Sequence, residues 1–291
     1  MALSTDNRFL KKSIEKALRD LPALPTVVLR VIQETQKPDT NAQELERLIA
    51  ADQALTMRVL SVVNSAYYGL SGQVSNLGQA IVILGIHQVR NLALSVAAID
   101  SVRPKTEHQH LALKEFWRHS FGAACATQIM SAARRVPASE EEAAFVCGLV
   151  HDIGRLFLFT AFSEIYEELL EFAAVNEISV EDAEKRFLGF THAEVGELMC
   201  QQWKLPEAIC RIIGAHEGPF EDGENLAAYL VHAADALNKE AYDPAYVFSM
   251  DRLSPEAVEW LDFTEDQYAA IKTQVTVRLN EAQAIFGIDA A

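Results

Sequence analysis

The residues able to do chemistry in this chain are scattered singly through apolar surroundings. His119 sits in KEFWRHSFGAA, with Glu115 four residues earlier on the same helical face. His151 and Asp152 stand side by side in CGLVHDIGRLFL (147–158). His192 follows Thr191 at the start of THAEVGELMCQQW, His216 ends PEAICRIIGAH, and Asp235 lies in AAYLVHAADALN. A buried carboxylate is costly unless a cation, a metal or several hydrogen bonds compensate it. Imidazole and carboxylate groups drawn from several helices suit Zn, Mn, Fe or Ni better than Ca. A carboxylate shared between two such ions would resolve the burial of Asp152. Each residue also has a plainer reading. A lone histidine on an apolar helix is more often a core residue bonded to a carbonyl. Asp152 could pair with Arg155 three residues on, and Asp235 could bond His232 or a neighbouring helix. Among the other histidines, His87, His108 and His110 read as surface or core residues, and His232 at most supports a neighbouring donor.

Composition narrows the setting. The formal net charge of −16 and the lack of a Lys/Arg cluster argue against a general nucleic-acid or anionic-membrane binder. The N-terminus lacks the apolar core of a signal peptide. Runs such as LALSVAAI (92–99) fall short of the roughly 18 residues that a membrane span needs. Cys125, Cys147, Cys200 and Cys210 form no CxxC pair and lie in apolar stretches, which fits free buried thiols in a cytoplasmic protein.

The elements that must hold these residues are helical nearly everywhere, so the chain is expected to be all-α. Thr40 with Gln43, Ser139 with Glu142, Thr191 with Glu194, and Thr264 with Gln267 fit the capping box. Ser254 before Pro255 puts proline at a helix's first position, where its missing N–H does no harm. No stretch alternates cleanly enough to argue a strand, and no internal repeat is evident. The polar segment SVRPKTEHQH (101–110) marks a junction. It divides a first helical subdomain (10–104) from a second (111–240), with C-terminal helices over 241–291 packing on the bundle. In the first, LPALP, KPDTN and YGLSGQ separate the helices.

LPALPTVVLRVIQ, ELERLIAADQALTMRVLSVVNSAYYGLSG and LGQAIVILGIHQVRNLALS together resemble the N-terminal half of the HDOD domain family. FWRHS, GLVHDIGRLFL and THAEVGELMCQQWKLPEAI are similar to its second half, and the likeness runs from about residue 20 to 280. The family is related to the HD-domain metal-dependent phosphohydrolases, including the HD-GYP cyclic-dinucleotide phosphodiesterases. The resemblance implies an all-helical fold, with an N-terminal bundle packed on an HD-like bundle, and a role in bacterial signalling. It places His119, His151, Asp152, His192, His216 and Asp235 on metal-ligand positions, with Glu115 as a further carboxylate ligand of some HD-GYP relatives. One or two divalent transition ions (Fe, Mn, Zn or Ni) are implied.

The chain departs from the HD-GYP pattern. Ala215 precedes His216 where a second histidine would stand, and GPFEDGENL replaces the GYP segment. Arg155 stands in place of the lysine of HDxGK. It can bind phosphate but cannot transfer a proton, because guanidinium does not deprotonate in proteins. Gln53 replaces a proline of the N-terminal half with little expected effect. The expectation is therefore a regulatory module with a retained metal site, acting through a signalling partner or a nucleotide or phosphate-ester ligand. The alternative is an active phosphohydrolase or phosphodiesterase in which Asp152 bridges two ions and Arg155 neutralises phosphate charge. A pure scaffold ranks third. Tyr67 and Tyr68 in NSAYYGLSG are a candidate contact surface or core aromatics.

Overall fold

Helix formers dominate the chain, and helices with short connections are what its computed structural model contains. It describes residues 8–21, 24–35, 41–64, 73–102, 104–220, 226–241 and 246–286, and no strand occurs among them. Tyr67 and Tyr68 lie outside the described residues.

Among the described residues, six α-helices make up the N-terminal half: α1 (Arg8–Arg19), α2 (Thr26–Thr35), α3 (Ala42–Ala50), α4 (Gln53–Val63), α5 (Leu77–Leu84) and α6 (Ile86–Ser101). Gly85, at φ +87°, ends α5 and opens α6 in a left-handed conformation that favours glycine. Every residue of α6 from Asn91 to Ile99 is buried. Such a helix, apolar all round, needs neighbours on every side. It packs on α2, α3, α4 and α5, and on its outer side against α8 (Ala138–Val150) of the second half.

The second half opens with α7 (Glu107–Arg134), capped by Thr106. After α8 come α9 (Ile153–Ala161), α10 (Ser163–Val175), α11 (Val180–Phe187), α12 (His192–Gln202), α13 (Glu207–Ala215) and α14 (Leu226–Asn238). The C-terminal pair is α15 (Pro255–Leu261) and α16 (Glu265–Phe286). α16 lies along α7, where Arg278 donates to Gln128 at 2.6 Å. One apolar core runs through all three segments, from Ile14 to Val275.

The caps follow the sequence in part. Thr191 and Glu194 form the reciprocal box at the start of α12. Thr264 and Gln267 bond each other's backbone N–H at the start of α16, and Ser254 caps α15 ahead of Pro255. Thr40 is outside the described residues, and α3 is capped by Asn41. Ser139 is a correction. Pro137 O already accepts from Glu141 N at 3.0 Å, so α8 starts at Ala138 and Ser139 falls within its first turn.

The apolar run lengths also understate one segment. Ala143–Ala161 is long and apolar enough by composition to span a bilayer, yet it is two helices broken at His151–Asp152 and is 78% buried in the bundle. Burial of that extent is what the core of a folded domain requires. The four cysteines are buried and free.

Candidate metal centre

His151 is the residue after α8 and Asp152 the residue before α9, so the break between these helices turns both side chains into the bundle. α7 supplies His119 from its buried middle. α12 begins with His192, His216 follows the last residue of α13, and α14 contributes Asp235. All six are buried, with Asp152 only 1% exposed.

Glycine lets these elements approach. A Cβ on Gly154 would lie 2.1 Å from His192 O and 2.5 Å from Gly196 N. Only two glycine faces allow α9 and α12 to cross this closely, and the crossing sets Asp152 beside His192.

The imidazoles share one arrangement. His119 Nδ1 meets Asn238 O at 3.0 Å, His151 Nδ1 meets Gly148 O at 2.9 Å, and His216 Nδ1 meets Ile213 O at 2.7 Å. A carbonyl only accepts, so each Nδ1 carries the hydrogen and each Nε2 turns its lone pair inward. His192 Nδ1 is held by the Glu184 carboxylate at 2.8 Å. Anchoring the outer nitrogen in this way is how metal-binding histidines are oriented.

The inner atoms converge. Asp152 Oδ1 is 3.2 Å from His192 Nε2 and 3.7 Å from both His151 Nε2 and His216 Nε2. Asp152 Oδ2 is 3.7 Å from His119 Nε2. Asp235 Oδ1 lies 3.1 Å from His119 Nε2 and 3.4 Å from His151 Nε2. The donors fall into two groups, His119, His151, Asp152 and Asp235 on one side and Asp152, His192 and His216 on the other. Asp152 belongs to both.

Two observations make this donor set fit a divalent ion. Both oxygens of Asp152 and the Nε2 atoms of His192 and His216 are buried without a hydrogen-bond partner. Each such atom would cost about 1–3 kcal/mol if nothing compensated it. His119 Nε2 and His151 Nε2 stand 3.0 Å apart with both outer nitrogens committed as donors. Two bare lone pairs repel at that distance, whereas it suits neighbouring ligands of one ion with bonds of about 2.1 Å.

The electrostatics agree. Burial pushes the Asp152 carboxyl up, but His151, His192 and His216 outweigh it and hold the group well below the usual carboxylate range. Burial acts likewise on Asp235, where Lys239, His119 and His151 prevail. Burial lowers the His192 imidazole, yet Glu184 and Asp152 raise it well above its ordinary value. The site is built for positive charge.

Two of the plainer pairings of the carboxylates are not formed, while Asp235 does reach His119 on the neighbouring α7. Asp152 faces imidazole nitrogens rather than Arg155. His232 does not bond Asp235: its Nδ1 donates to His216 O at 2.8 Å and its Nε2 accepts from Ser254 N at 3.0 Å. Glu115 stands apart from both groups, exposed on α7. With Arg155, Phe116, Phe159 and Tyr166 it lines a cavity of about 320 Å³ between α7, α9 and α10. The cavity is linked to the cluster through Tyr166, which donates to Glu184 Oε1 at 2.5 Å, and Glu184 in turn holds His192.

Glu184, Glu217 and Lys239 belong to the site but do not stand out in the sequence. Lys239 Nζ lies 3.1 Å from both Asp235 Oδ2 and Glu217 Oε1. Glu184 carries one legible signal: it sits between Ala183 and Phe187 on the buried stripe of α11. A carboxylate on an apolar stripe needs a partner.

The HDOD domain family matches residues 21–219 of this chain. The chain belongs to the HDOD family. An HDOD domain protein of unknown function from Geobacter sulfurreducens superposes with a TM-score of 0.74 at 21% identity, covering 96% of this chain and 98% of that one. A provisionally assigned phosphohydrolase from Shewanella amazonensis SB2B gives 0.69 at 21%, covering 99% and 100%. Among curated proteins, an uncharacterized Treponema pallidum protein is 27% identical over 74% of this chain and 41% of its own length. The cyclic di-GMP phosphodiesterase CdgJ of Vibrio cholerae is 29% identical over 49% of this chain and 31% of its own. This HDOD chain thus spans less than half the length of those curated relatives.

Proposed function

We propose that the chain is an HDOD regulatory module whose buried cluster holds two divalent transition ions bridged by Asp152, and that it signals through a bound protein partner or a nucleotide or phosphate-ester ligand. One observation carries this reading. α8 runs up to His151 at the cluster and also contacts α6, the helix around which the N-terminal half is built. Metal occupancy that fixes His151 therefore acts on the element shared by both halves. Every donor is buried, which suits a closed site better than an open catalytic one.

His119, His151 and Asp235 would hold one ion, and His192 and His216 the other. Such ions supply Lewis acidity and an activated water when a coordination position is open. The cavity beside the cluster favours phosphate-ester hydrolysis as a second reading. In it, Arg155 binds and neutralises the phosphate, and the apolar wall of Phe116 and Phe159 excludes water from the ester substituent.

Amide hydrogen exchange tests the first reading. Adding Mn²⁺ to metal-free protein is expected to slow exchange in α6 as well as around the cluster, and Asp152→Ala to abolish both effects. Protection confined to the cluster refutes coupling through α6. Metal-dependent turnover of a phosphodiester that disappears in Asp152→Ala would establish the second reading instead.

A further inference from the structure

The cluster has a third cation position, and a side chain fills it. Glu181 and Glu217 gather beside His192, one donor atom of each within 4.8 Å of the others. His192 Nε2, whose lone pair the second ion would take, faces Glu217 Oε1 at 3.6 Å, so what this position offers a cation is carboxylate oxygen, including the buried Asp235 Oδ2. Lys239, from the turn after α14, brings its ammonium to this place. Its Nζ is 3.1 Å from Glu217 Oε1, 3.1 Å from Asp235 Oδ2 and 3.9 Å from Glu181 Oε1.

We propose that the Lys239 ammonium is the built-in occupant of this third position and limits the cluster to two divalent ions. The inference rests on the two-ion reading given above. Three carboxylate oxygens from three separate elements surround Nζ, and oxygen donors in that number suit a hard divalent ion such as Mn²⁺ or Mg²⁺. Lys239 excludes that ion by charge and by volume.

The local charge points the same way. Asp152, Asp235, Glu181, Glu184 and Glu217 are the carboxylates of the cluster and its rim, and two divalent ions with one ammonium cancel them. A third divalent ion beside Lys239 would leave an excess of buried positive charge, which is costly. Lys239 also takes up Asp235 Oδ2, leaving only Oδ1 directed at His119 and His151. Its side chain is 26% exposed, so the position can be reached from solvent once the charge is gone.

The test is metal stoichiometry of the full chain, by equilibrium dialysis against Mn²⁺ and elemental analysis, for the unaltered protein and Lys239→Met. Two ions per chain in the first and three in the second are expected, the third also appearing as additional Mn²⁺ lost from the free-ion EPR signal. Two ions in both proteins would overturn the inference and leave the two-ion reading standing. No ions in the unaltered protein would defeat that reading and the inference with it. A third ion taken up by the unaltered protein overturns the inference without reference to any variant. Should Lys239→Met fail to give a helical circular-dichroism spectrum, Lys239→Gln removes the charge while keeping a polar end, and the same stoichiometries decide.

Discussion

Gly154→Ala is the most direct probe of how the fold makes the cluster. The added Cβ would meet His192 O at 2.1 Å and Gly196 N at 2.5 Å, both backbone atoms that no rotamer change can move. Ordinary contact begins at 3.4 Å, so α9 and α12 must part by about 1 Å, an overpacking that costs about 1–3 kcal/mol. Alanine returns about 0.5–1 kcal/mol through lower backbone entropy, leaving a net loss of about 1–2 kcal/mol. In a chain of this size that lowers Tm by roughly 2–8 °C. The same separation pulls His192 Nε2 from Asp152 Oδ1, now 3.2 Å apart, so Mn²⁺ affinity should fall about 10–100-fold, as when the support of a ligand is removed. Thermal melts in chelator and Mn²⁺ dialysis measure the two effects separately. Gly78→Ala is the control, because its Cβ meets only the flexible Glu46 carboxylate at 2.9 Å. It should be neutral or slightly stabilising. Gly196→Ala, whose nearest new contact is Ile213 Cγ2 at 3.0 Å, should fall between. If Gly154→Ala melted and bound metal like the unaltered protein, the close crossing would not be what positions His192.

Other substitutions separate support from ligation. Glu184→Gln keeps the volume and the Tyr166 contact but removes the charge on His192 Nδ1, and Mn²⁺ affinity by dialysis should drop about 10–100-fold. Chelator should lower the melting temperature of the unaltered protein and Mn²⁺ should restore it, whereas Asp152→Ala should melt at one temperature in both conditions. Thr191→Ala removes the cap of α12 and should cost about 1 kcal/mol in a chelator melt.

How far the sequence discloses such a site depends on what each residue type costs when buried. His151 and Asp152 are conspicuous because they interrupt CGLV and IGRLFL, and the same logic marks Asp235 within an alanine-rich helix. Helical class and the caps at Thr191, Thr264 and Ser254 are legible because their signals are local. Lys239 and Glu217 escape notice because they lie near turns, where charged residues ordinarily meet solvent, and only the fold places their charges 3.1 Å apart. Glu115 shows the converse. Helical spacing sets it one turn from His119, but that turn carries its carboxylate out of the cluster and to the cavity that Arg155 lines. The start of α8 reflects a related conflict: the box pattern at Ser139 is a local signal, and the helix begins ahead of it with the hydrogen bond to Pro137 O.

The break at Asp152 ties these strands together. In one continuous helix, adjacent side chains diverge by about 100°, and His151 and Asp152 could not serve one cluster. Asp152 leaves the helix at φ −91° and ψ 15°, in the sparsely populated bridge region where many active-site residues sit. The chain then restarts as α9 with Gly154 two residues on, the position where α12 must pass within backbone contact. The short segment HDIG thus supplies an imidazole for one side of the cluster, the carboxylate common to both groups, and the glycine that admits the helix bearing His192. A spacer inserted between Asp152 and Gly154 should therefore abolish metal binding even if both helices form, because the crossing and the carboxylate would no longer be in register. Retained Mn²⁺ uptake by such a folded insertion variant would contradict this.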